Sequence, residues 1–330
     1  MKITVILCTY NRCRMLPETL DSLVAQRFAD GVEWEVIVVD NNSGDQTRDV
    51  VENYIRKYPG RFQYLFESRQ GLSRARNAGI LAARGEVIAF VDDDVVAEPT
   101  WLRSLTASLF EENWAGAGGR IVPPDGFEPP KWLTVGGPFD ISGALALFDL
   151  GDRPSELSRP PYGTNMAFRK GVFEKCGMFR VELGRSGSNL ISGEDTEFGK
   201  RLMSAGERLR YEPGAVVRHP VPAERLNKKY FRKWWFAFGR TRILERPARP
   251  AIFGVPREVI SIVNLVFHFL PLGLLRWLSA AGPKARFYQQ CWVMLTLGEI
   301  AENYRTAKSR KGRGPTISTH AIDQDQSPAA

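Results

Sequence analysis

The fold is decided by the stretch Val87-Ile88-Ala89-Phe90-Val91-Asp92-Asp93-Asp94. Its five consecutive apolar residues predict a short strand that is buried on both faces, and three carboxylates follow the strand at once. Similar apolar runs occur earlier in the chain, at residues 3–7, 35–39 and 62–67. We therefore expect four strands in the first third of the chain.

Segments with the apolar spacing of a helix separate these runs, near residues 16–26, 46–57 and 73–83. Strands that alternate with amphipathic helices predict an α/β fold, in which a largely parallel sheet carries helices on both faces. Ligands bind such sheets beyond the carboxyl ends of the strands. The polar residues that follow the strands are therefore the first candidates for a site: Thr9-Tyr10-Asn11, Asp40-Asn41-Asn42-Ser43 and Asp92-Asp93-Asp94.

Three adjacent carboxylates repel one another unless a cation compensates their charge. Oxygen ligands suit Mg²⁺ or Mn²⁺, and these ions also bridge phosphate oxygens. In an extended segment Asp92 and Asp94 point to the same side and Asp93 points to the other, so the alternate pair is the better candidate for a metal site. The competing interpretation is a solvated acidic turn that caps a helix starting near Pro99.

A second acidic segment, residues 192–197, precedes apolar residues at helical spacing and predicts the start of a helix. Ser192 as N-cap with Asp195 three residues later would form a capping box. The same position also suits chemistry, because the helix N-terminus keeps Asp195 ionised and able to accept a proton. His219, one of three histidines, follows a short apolar run. It is a candidate metal ligand only if it lies near the metal.

Other nucleotide-binding and metal-binding patterns are missing from the sequence. No G-x-G-x-x-G follows a strand and no P-loop motif occurs, which excludes the usual dehydrogenase and P-loop NTPase classes. The four cysteines show no C-x-x-C spacing, so we expect neither a thiolate zinc site nor a disulfide framework. Free cysteines fit a reducing compartment.

Six segments in order resemble family 2 glycosyltransferases, which have the GT-A fold and invert the sugar carbon. The segments are VILCTYNR (5–12), VIVVDNNSGDQT (36–47), GLSRARNAGI (71–80), FVDDD (90–94), GTNMAFRKGVFEKCGMF (163–179) and GEDTEFGKRL (193–202). The resemblance covers about residues 1–240. It implies a transferase that uses a nucleotide-diphosphate sugar and a divalent cation, Mg²⁺ or Mn²⁺.

The resemblance also implies roles for individual residues. The donor would be held by Thr9, Tyr10, Asn11, Arg12, Asp40, Asn42, Arg74, Asn77, Asp92 and Asp93. The metal would be bound by Asp92, Asp94 and His219, although the triple aspartate leaves the D-x-D register open by one residue, so that Asp93 could replace Asp92. The catalytic residues would be Glu194 and Asp195 of the Glu-Asp motif, and Asp195 would be the catalytic base.

The last third of the chain differs in charge and apolar pattern. The net charge is +8, yet residues 225–313 contain 18 Lys/Arg and 4 Asp/Glu, so the remainder must be acidic. Aromatic residues lie among these cations, and Trp234 or Trp235 could pack against an acceptor sugar or simply belong to a helix that covers the sheet. Nucleic acid is the less suitable partner for this region, because it would not require the apolar run that lies between the basic blocks.

That apolar run, residues 259–278, is just long enough to cross a bilayer. Its polar members Ser261, Asn264 and His268 share one stripe, and Pro271 predicts a break, so a helix in the membrane interface or a broken hairpin is favoured over a span or a buried helix. The flanking cations suit an anionic cytoplasmic leaflet.

We therefore expect a GT-A catalytic domain over residues 1–224, a helical membrane-associating region over 225–310 and a disordered tail over 311–330. The expected function is sugar transfer to a lipid-linked or polysaccharide acceptor at the cytoplasmic face of a membrane. Two competitors remain, a sugar-nucleotide pyrophosphorylase and a non-catalytic membrane scaffold. The first usually has a glycine-rich turn after strand one, where this chain has Thr9-Tyr10-Asn11-Arg12, and the second would not need a base.

Overall fold

A computed structural model describes residues 2–28, 32–110, 113–187, 190–246, 251–252 and 255–311. The strands are β1 (Lys2–Thr9), β2 (Glu33–Asp40), β3 (Phe62–Phe66), β4 (Val87–Asp92), β5 (Val96–Ala97), β6 (Gly116–Val122), β7 (Ser155–Glu156), β8 (Asn165–Arg169) and β9 (Leu209–Arg218). The helices are α1 (Leu16–Val24), α2 (Thr47–Lys57), α3 (Leu72–Ala82), α4 (Trp101–Thr106), α5 (Gly171–Cys176), α6 (Glu194–Ser204), α7 (Lys228–Leu244), α8 (Arg257–Asn264), α9 (Leu270–Ser279) and α10 (Pro283–Lys311). The predicted tail covers residues 311–330, and all of it after residue 311 lies outside the described residues.

The strands form one mixed sheet in the order β3-β2-β1-β4-β8-β6-β9-β5, with β7 paired to β9. The pairs β1–β2, β2–β3, β1–β4 and β6–β9 are parallel, whereas β8 runs antiparallel to both of its neighbours. The predicted α/β fold is confirmed. Because β8 reverses direction between β4 and β6, the carboxyl ends of β1, β4 and β9 and the amino end of β8 meet at one edge of the sheet.

Aromatic packing under the sheet fixes the helix that carries the second acidic segment. Phe198 of α6 is fully buried, and its ring stacks on Phe173 with centroids 5.0 Å apart and packs edge-on against Phe168 of β8. Phe179 fills the space between Phe198 and Phe90 of β4. The start of α6 is therefore held at a fixed position relative to the carboxyl end of β4.

A second apolar cluster joins the last helices to a loop of the sheet region. Its members are the buried side chains of Leu133, Ile141, Ala144, Leu145, Leu147, Phe231, Trp235, Phe287, Cys291 and Leu295. Helices α7 and α10 touch backbone to backbone here, because a Cβ at Gly239 or at Gly298 would overlap a carbonyl oxygen of the other helix. The division at residue 224 stays a prediction, and this cluster draws on both sides of it.

The apolar run forms one continuous helix of 23 residues, Arg257–Ser279, long and apolar enough to cross a membrane. The predicted break at Pro271 is wrong. A π-helical turn at Leu265–Phe269 precedes the proline, and such a turn absorbs the missing backbone donor without ending the helix. The helix packs along α10 but leaves most of its apolar side chains exposed, among them Phe267 and Leu278.

Candidate active site

A cleft of about 730 Å³ lies at the sheet edge where β1, β4 and β9 end. Its walls come from those strand ends, from the start of α6, from the 3₁₀ turn Ser142–Leu145 and from α7 and α10. Both acidic segments that the sequence singled out line this cleft. The topology brings them together because β8 begins at the edge at which β4 ends, and Gly163, just before β8, bonds Asp195 of α6.

Asp92, Asp94 and His219 each offer one ligand atom, and these atoms lie within 4.8 Å of one another. The Nε2 atom of His219 is 3.6 Å from Asp94 Oδ1. Asp94 is largely buried, with 9% of its side chain exposed, which argues against a solvated turn. Helix α4 has no side-chain cap, so these acids do not cap it. Two carboxylates and an imidazole are a donor set that fits a divalent cation.

His219 is poised to act as a neutral ligand. It follows β9 directly, and its backbone N–H donates to the carbonyl oxygen of Val122. Burial lowers the pKa of its imidazole, while the carboxylate of Asp94 acts in the opposite direction. A neutral imidazole has a free lone pair, which is the form that binds a metal.

Thr164 and Arg76 hold the first carboxylate of the triplet. The hydroxyl of Thr164 donates to Asp92 Oδ2 at 2.6 Å, and Arg76 Nη2 lies 3.6 Å from Asp92 Oδ1. Burial raises the pKa of Asp93 to about 7, and repulsion from Asp94 adds to the rise. A raised pKa favours the neutral form of Asp93, which reduces the negative charge that the triplet must accommodate.

Asp195 faces the cleft from the first turn of α6. Its Oδ2 accepts from the backbone N–H of Gly163 at 2.7 Å, and its Oδ1 accepts from the backbone N–H of Thr196. The capping box between Ser192 and Asp195 does not form. The N-cap is Gly193 in a left-handed conformation, so the chain turns before Ser192 can reach the free N–H groups.

Arg76 is a site residue that the sequence analysis missed. Its guanidinium is buried, and Nη1 lies 2.5 Å from Glu194 Oε1. Burial raises the pKa of Glu194, and Asp195 adds to the rise against the opposing effect of Arg76. The signal was available, because Arg76 lies four residues before the buried Ile80 and so shares the inner face of α3.

The donor residues expected from the sequence divide into two groups. The group that lines the cleft comprises Thr9, Tyr10, Arg12, Asp92 and Asp93. The group outside the described lining comprises Asn11, Asp40, Asn42, Arg74 and Asn77.

Three of the residues in the second group form bonds within the protein. Asp40 accepts from the backbone N–H of Ser43 and from the hydroxyl of Tyr64. Asn11 accepts from the N–H of Gly44, which stabilises the turns after β1 and β2 against each other. Asn77 exchanges two hydrogen bonds with the backbone of Phe179.

Trp234 and Trp235 also line the cleft. The structure adds Phe238 of α7 and Trp292 of α10, which the sequence analysis did not name. Trp234 stacks on Phe238 with centroids 5.1 Å apart, and Trp235 packs on Trp292 at 5.4 Å. The aromatic side chains and the acidic groups therefore line one continuous cleft.

Comparison with known proteins identifies the family. Residues 4–177 match the family described as Glycosyl transferase family 2. The chain belongs to glycosyltransferase family 2. It is 30% identical over 242 residues to the succinoglycan biosynthesis protein ExoM of Rhizobium meliloti (strain 1021), which covers 73% of this chain and 74% of that protein.

Two further relatives broaden the comparison. The glucosyl-dolichyl phosphate glucuronosyltransferase of Haloferax volcanii is 29% identical over 253 residues, 73% of this chain and 76% of that protein. The mannosyltransferase PcManGT from Pyrobaculum calidifontis, solved with GDP-Man and Mn²⁺, has the same fold, with a TM-score of 0.55, 17% identity and coverage of 93% of this chain and 75% of that one.

The family 2 enzyme is thus a glycosyltransferase that uses a nucleotide sugar, and its sheet has the GT-A fold. These two predictions from the sequence are confirmed. The competing predictions of a pyrophosphorylase and of a non-catalytic scaffold receive no support from the comparisons. The acidic cluster fits a divalent cation, as the sequence predicted.

Proposed function

We propose that the enzyme transfers a sugar with inversion, assisted by a divalent cation, from a nucleotide diphosphate to an acceptor hydroxyl. The observation that carries the proposal is that two acidic groups line one cleft close to each other. The cluster of Asp92, Asp94 and His219 could hold a cation, and Asp195 lies on the first turn of α6. The adjacent residues Thr164 and Gly163 bond Asp92 and Asp195 respectively, so a leaving group and a base would be available in the same cleft.

The donor would bind with its nucleotide near Thr9 and Tyr10, the lining residues at the end of β1. Asp92, Asp94 and His219 would hold Mg²⁺ or Mn²⁺. Such an ion neutralises the charge of a departing diphosphate. Asp40, Asn11 and Asn77 form bonds within the protein beside this end, and donor contacts of these three residues, of Asn42 and of Arg74 stay predictions.

Asp195 would act as the general base. Two backbone N–H groups donate to its carboxylate, and such bonds favour the ionised form that accepts a proton. The acceptor oxygen attacks the anomeric carbon while its proton passes to Asp195, and the bond from that carbon to the diphosphate oxygen breaks. Glu194 is a positioning residue in this scheme, because it is buried against Arg76.

The acceptor would lie against Trp234 and Trp235, and a lipid-linked or polysaccharide acceptor at the cytoplasmic face of a membrane fits this region best. One relative is named for succinoglycan biosynthesis and another for a dolichyl phosphate acceptor. The apolar helix Arg257–Ser279 would lie in the plane of the interface. It packs along α10 through both α8 and α9, so a crossing would carry the part of α10 that lies beside it into hydrocarbon, and α10 contains charged residues along its length.

A thermal-shift panel tests the donor half of the proposal. UDP-, GDP- and dTDP-sugars are added with Mn²⁺ or Mg²⁺ to the full chain and to Asp94→Asn, with Asp152→Asn as a matched control because Asp152 lies on the exposed surface. We expect one nucleotide to raise the melting temperature of the wild type and of the control in a metal-dependent way. The proposal fails if no nucleotide stabilises the wild type with either ion.

A further inference from the structure

The turn before the helix that carries Asp195 packs against the end of α7. Gly193, the N-cap of α6, has a φ of +93°, a conformation that residues with a side chain rarely adopt. A Cβ at this position would lie 2.5 Å from Glu245 Oε1 and 2.6 Å from Thr241 Cγ2. The turn therefore has room for glycine alone, because two side chains from the end of α7 fill the space beside it.

Both of these side chains are also bonded to the chain around the turn. The backbone N–H of Ser192 donates to Thr241 Oγ1 at 3.3 Å, and Thr241 is fully buried. Lys200 of α6 donates to Glu245 Oε2 at 2.6 Å, and only 7% of the Glu245 side chain is exposed. The end of α7 thus holds α6 at two places, just before its N-cap and about two turns further along.

The carboxylate of Glu245 lies beside the N-cap of α6 and close to the base. Its Oε1 atom is buried and accepts no hydrogen bond from the described residues, and the positive end of a helix dipole favours a carboxylate at such a place. Burial raises the pKa of Glu245, Lys200 opposes the rise and Asp195 adds to it. Glu245 and Asp195 therefore lie near enough to interact through their charges.

Helix α7 is itself held by α10, which it touches backbone to backbone. Arg240 Nε lies 2.9 Å from Glu302 Oε2, and Arg242 Nη1 lies 3.2 Å from Glu299 Oε1. Both glutamates of α10 are buried. The two arginines are the chain neighbours of Thr241, so α10 fixes the part of α7 that packs on the turn.

We propose that Thr241 and Glu245 are positioning residues for the base Asp195. They act through the turn at Gly193, which sets where α6 begins, and in the described part of the chain neither side chain lines the cleft. This inference rests on the proposed function and adds to it that α7, held by α10, fixes the position of the base. A displacement of about 1 Å at a reacting group can lower a rate about 100-fold.

Hydrogen exchange tests the coupling without requiring sugar transfer, so it can fail while the proposed chemistry stands. In the full chain, Thr241→Val removes the hydroxyl that Ser192 binds and keeps the side-chain volume. We expect faster exchange in the peptide that covers residues 192–198, and Thr241→Ser, which keeps the hydroxyl, should restore most of the protection. Thr106→Val is the matched control, because it removes a buried hydroxyl from α4, and it should leave this peptide unchanged.

Donor hydrolysis tests whether the turn matters for the base. Hydrolysis of UDP-, GDP- and dTDP-sugars with Mn²⁺ is followed in the wild type, in Thr241→Val and in Glu245→Ala, well below their melting temperatures. We expect kcat to fall about 10–100-fold in both variants. The donor KM should change little, because the metal cluster and the end of β1 are untouched. Thr241→Ser should recover most of kcat, which a general loss of folded protein would not predict.

Three results would overturn the inference. The first is equal exchange of residues 192–198 in Thr241→Val and the wild type. The second is an unchanged kcat in both α7 variants while Asp195→Asn is impaired. The third is a rise in the donor KM with kcat intact, which would assign the turn to donor binding. Hydrolysis by Asp195→Asn at the wild-type rate would instead contradict the base assignment on which the inference rests.

Discussion

Arg76 and Glu194 form a buried ion pair that joins α3 to the first turn of α6, with 2.5 Å between Nη1 and Oε1. Only 4% and 5% of the two side chains are exposed. The same guanidinium lies 3.6 Å from Asp92. One arginine therefore connects the carboxylate cluster to the helix that carries Asp195.

Breaking this pair should cost much of the stability. In Arg76→Met, Glu194 loses its counter-charge while still buried, and removal of one partner of such a pair costs about 3–5 kcal/mol. The free energy of unfolding in urea measures the loss. The double variant Arg76→Met with Glu194→Gln also removes the buried charge of Glu194, so that only the partly exposed Asp92 lacks Arg76, and it should recover a large part of the lost stability. Simple additivity of the two single changes would contradict the coupling.

The contact between α7 and α10 predicts an asymmetry between two glycines. A Cβ at Gly298 would overlap the carbonyl oxygen of Phe236, whereas a Cβ at Gly273 finds only ordinary contact at 3.4 Å. Gly298→Ala should therefore lower the melting temperature, while Gly273→Ala should leave it equal or raise it, since alanine favours a helix by about 1 kcal/mol. Equal effects in thermal melts would show that the helices are not in backbone contact.

Thr164 should matter for metal affinity without touching the metal. Its hydroxyl orients Asp92, and loss of such a supporting bond typically weakens metal binding about 10–100-fold. We expect this weakening in Thr164→Val, measured by Mn²⁺ titration followed by electron paramagnetic resonance. Thr106→Val, which removes a buried hydroxyl from α4, serves as the control. An unchanged Mn²⁺ affinity in Thr164→Val would contradict the assignment of Asp92, as oriented by Thr164, to the metal site.

Glu299 predicts a pH dependence of stability. Burial raises the pKa of this carboxyl above its usual 4.5, against the opposing effects of Arg242 and Arg246. The folded state thus binds its proton more tightly than the unfolded state, and the stability it contributes is lost as the pH rises above 4.5 through the folded pKa. Urea denaturation across this range should show a smaller loss in Glu299→Gln than in the wild type. If the free energies of unfolding of Glu299→Gln and of the wild type change in parallel with pH, Glu299 is not the cause of the pH dependence.

The sequence predicted the sheet and the strand ends well because both depend on local patterns. The apolar run before Asp92 identifies a buried strand, and in a parallel sheet such ends share one edge. The position of Arg76 on the inner face of α3 was readable from the sequence, but its pairing was not, because its partner Glu194 lies 118 residues away. The sequence analysis named Arg74 and Asn77 instead, whose side chains lie outside the described lining of the cleft.

The C-terminal errors have a similar origin. Pro271 predicted a break, but a π-helical turn accommodates it, and no local pattern announced that turn. Trp292 was missed because its role depends on how α10 packs against α7. Ser192 and Asp195 have the spacing of a capping box, yet the left-handed Gly193 decides where α6 begins.

The base assignment is tested most directly by Asp195→Asn. The amide keeps one oxygen, so it accepts from only one of the N–H groups of Gly163 and Thr196, and it cannot take the acceptor proton. We predict that nucleotide-sugar binding, measured by calorimetry with Mn²⁺, stays within a few-fold of the wild type, while transfer falls by about 10²–10⁴-fold. Transfer near the wild-type rate with intact binding would contradict the account.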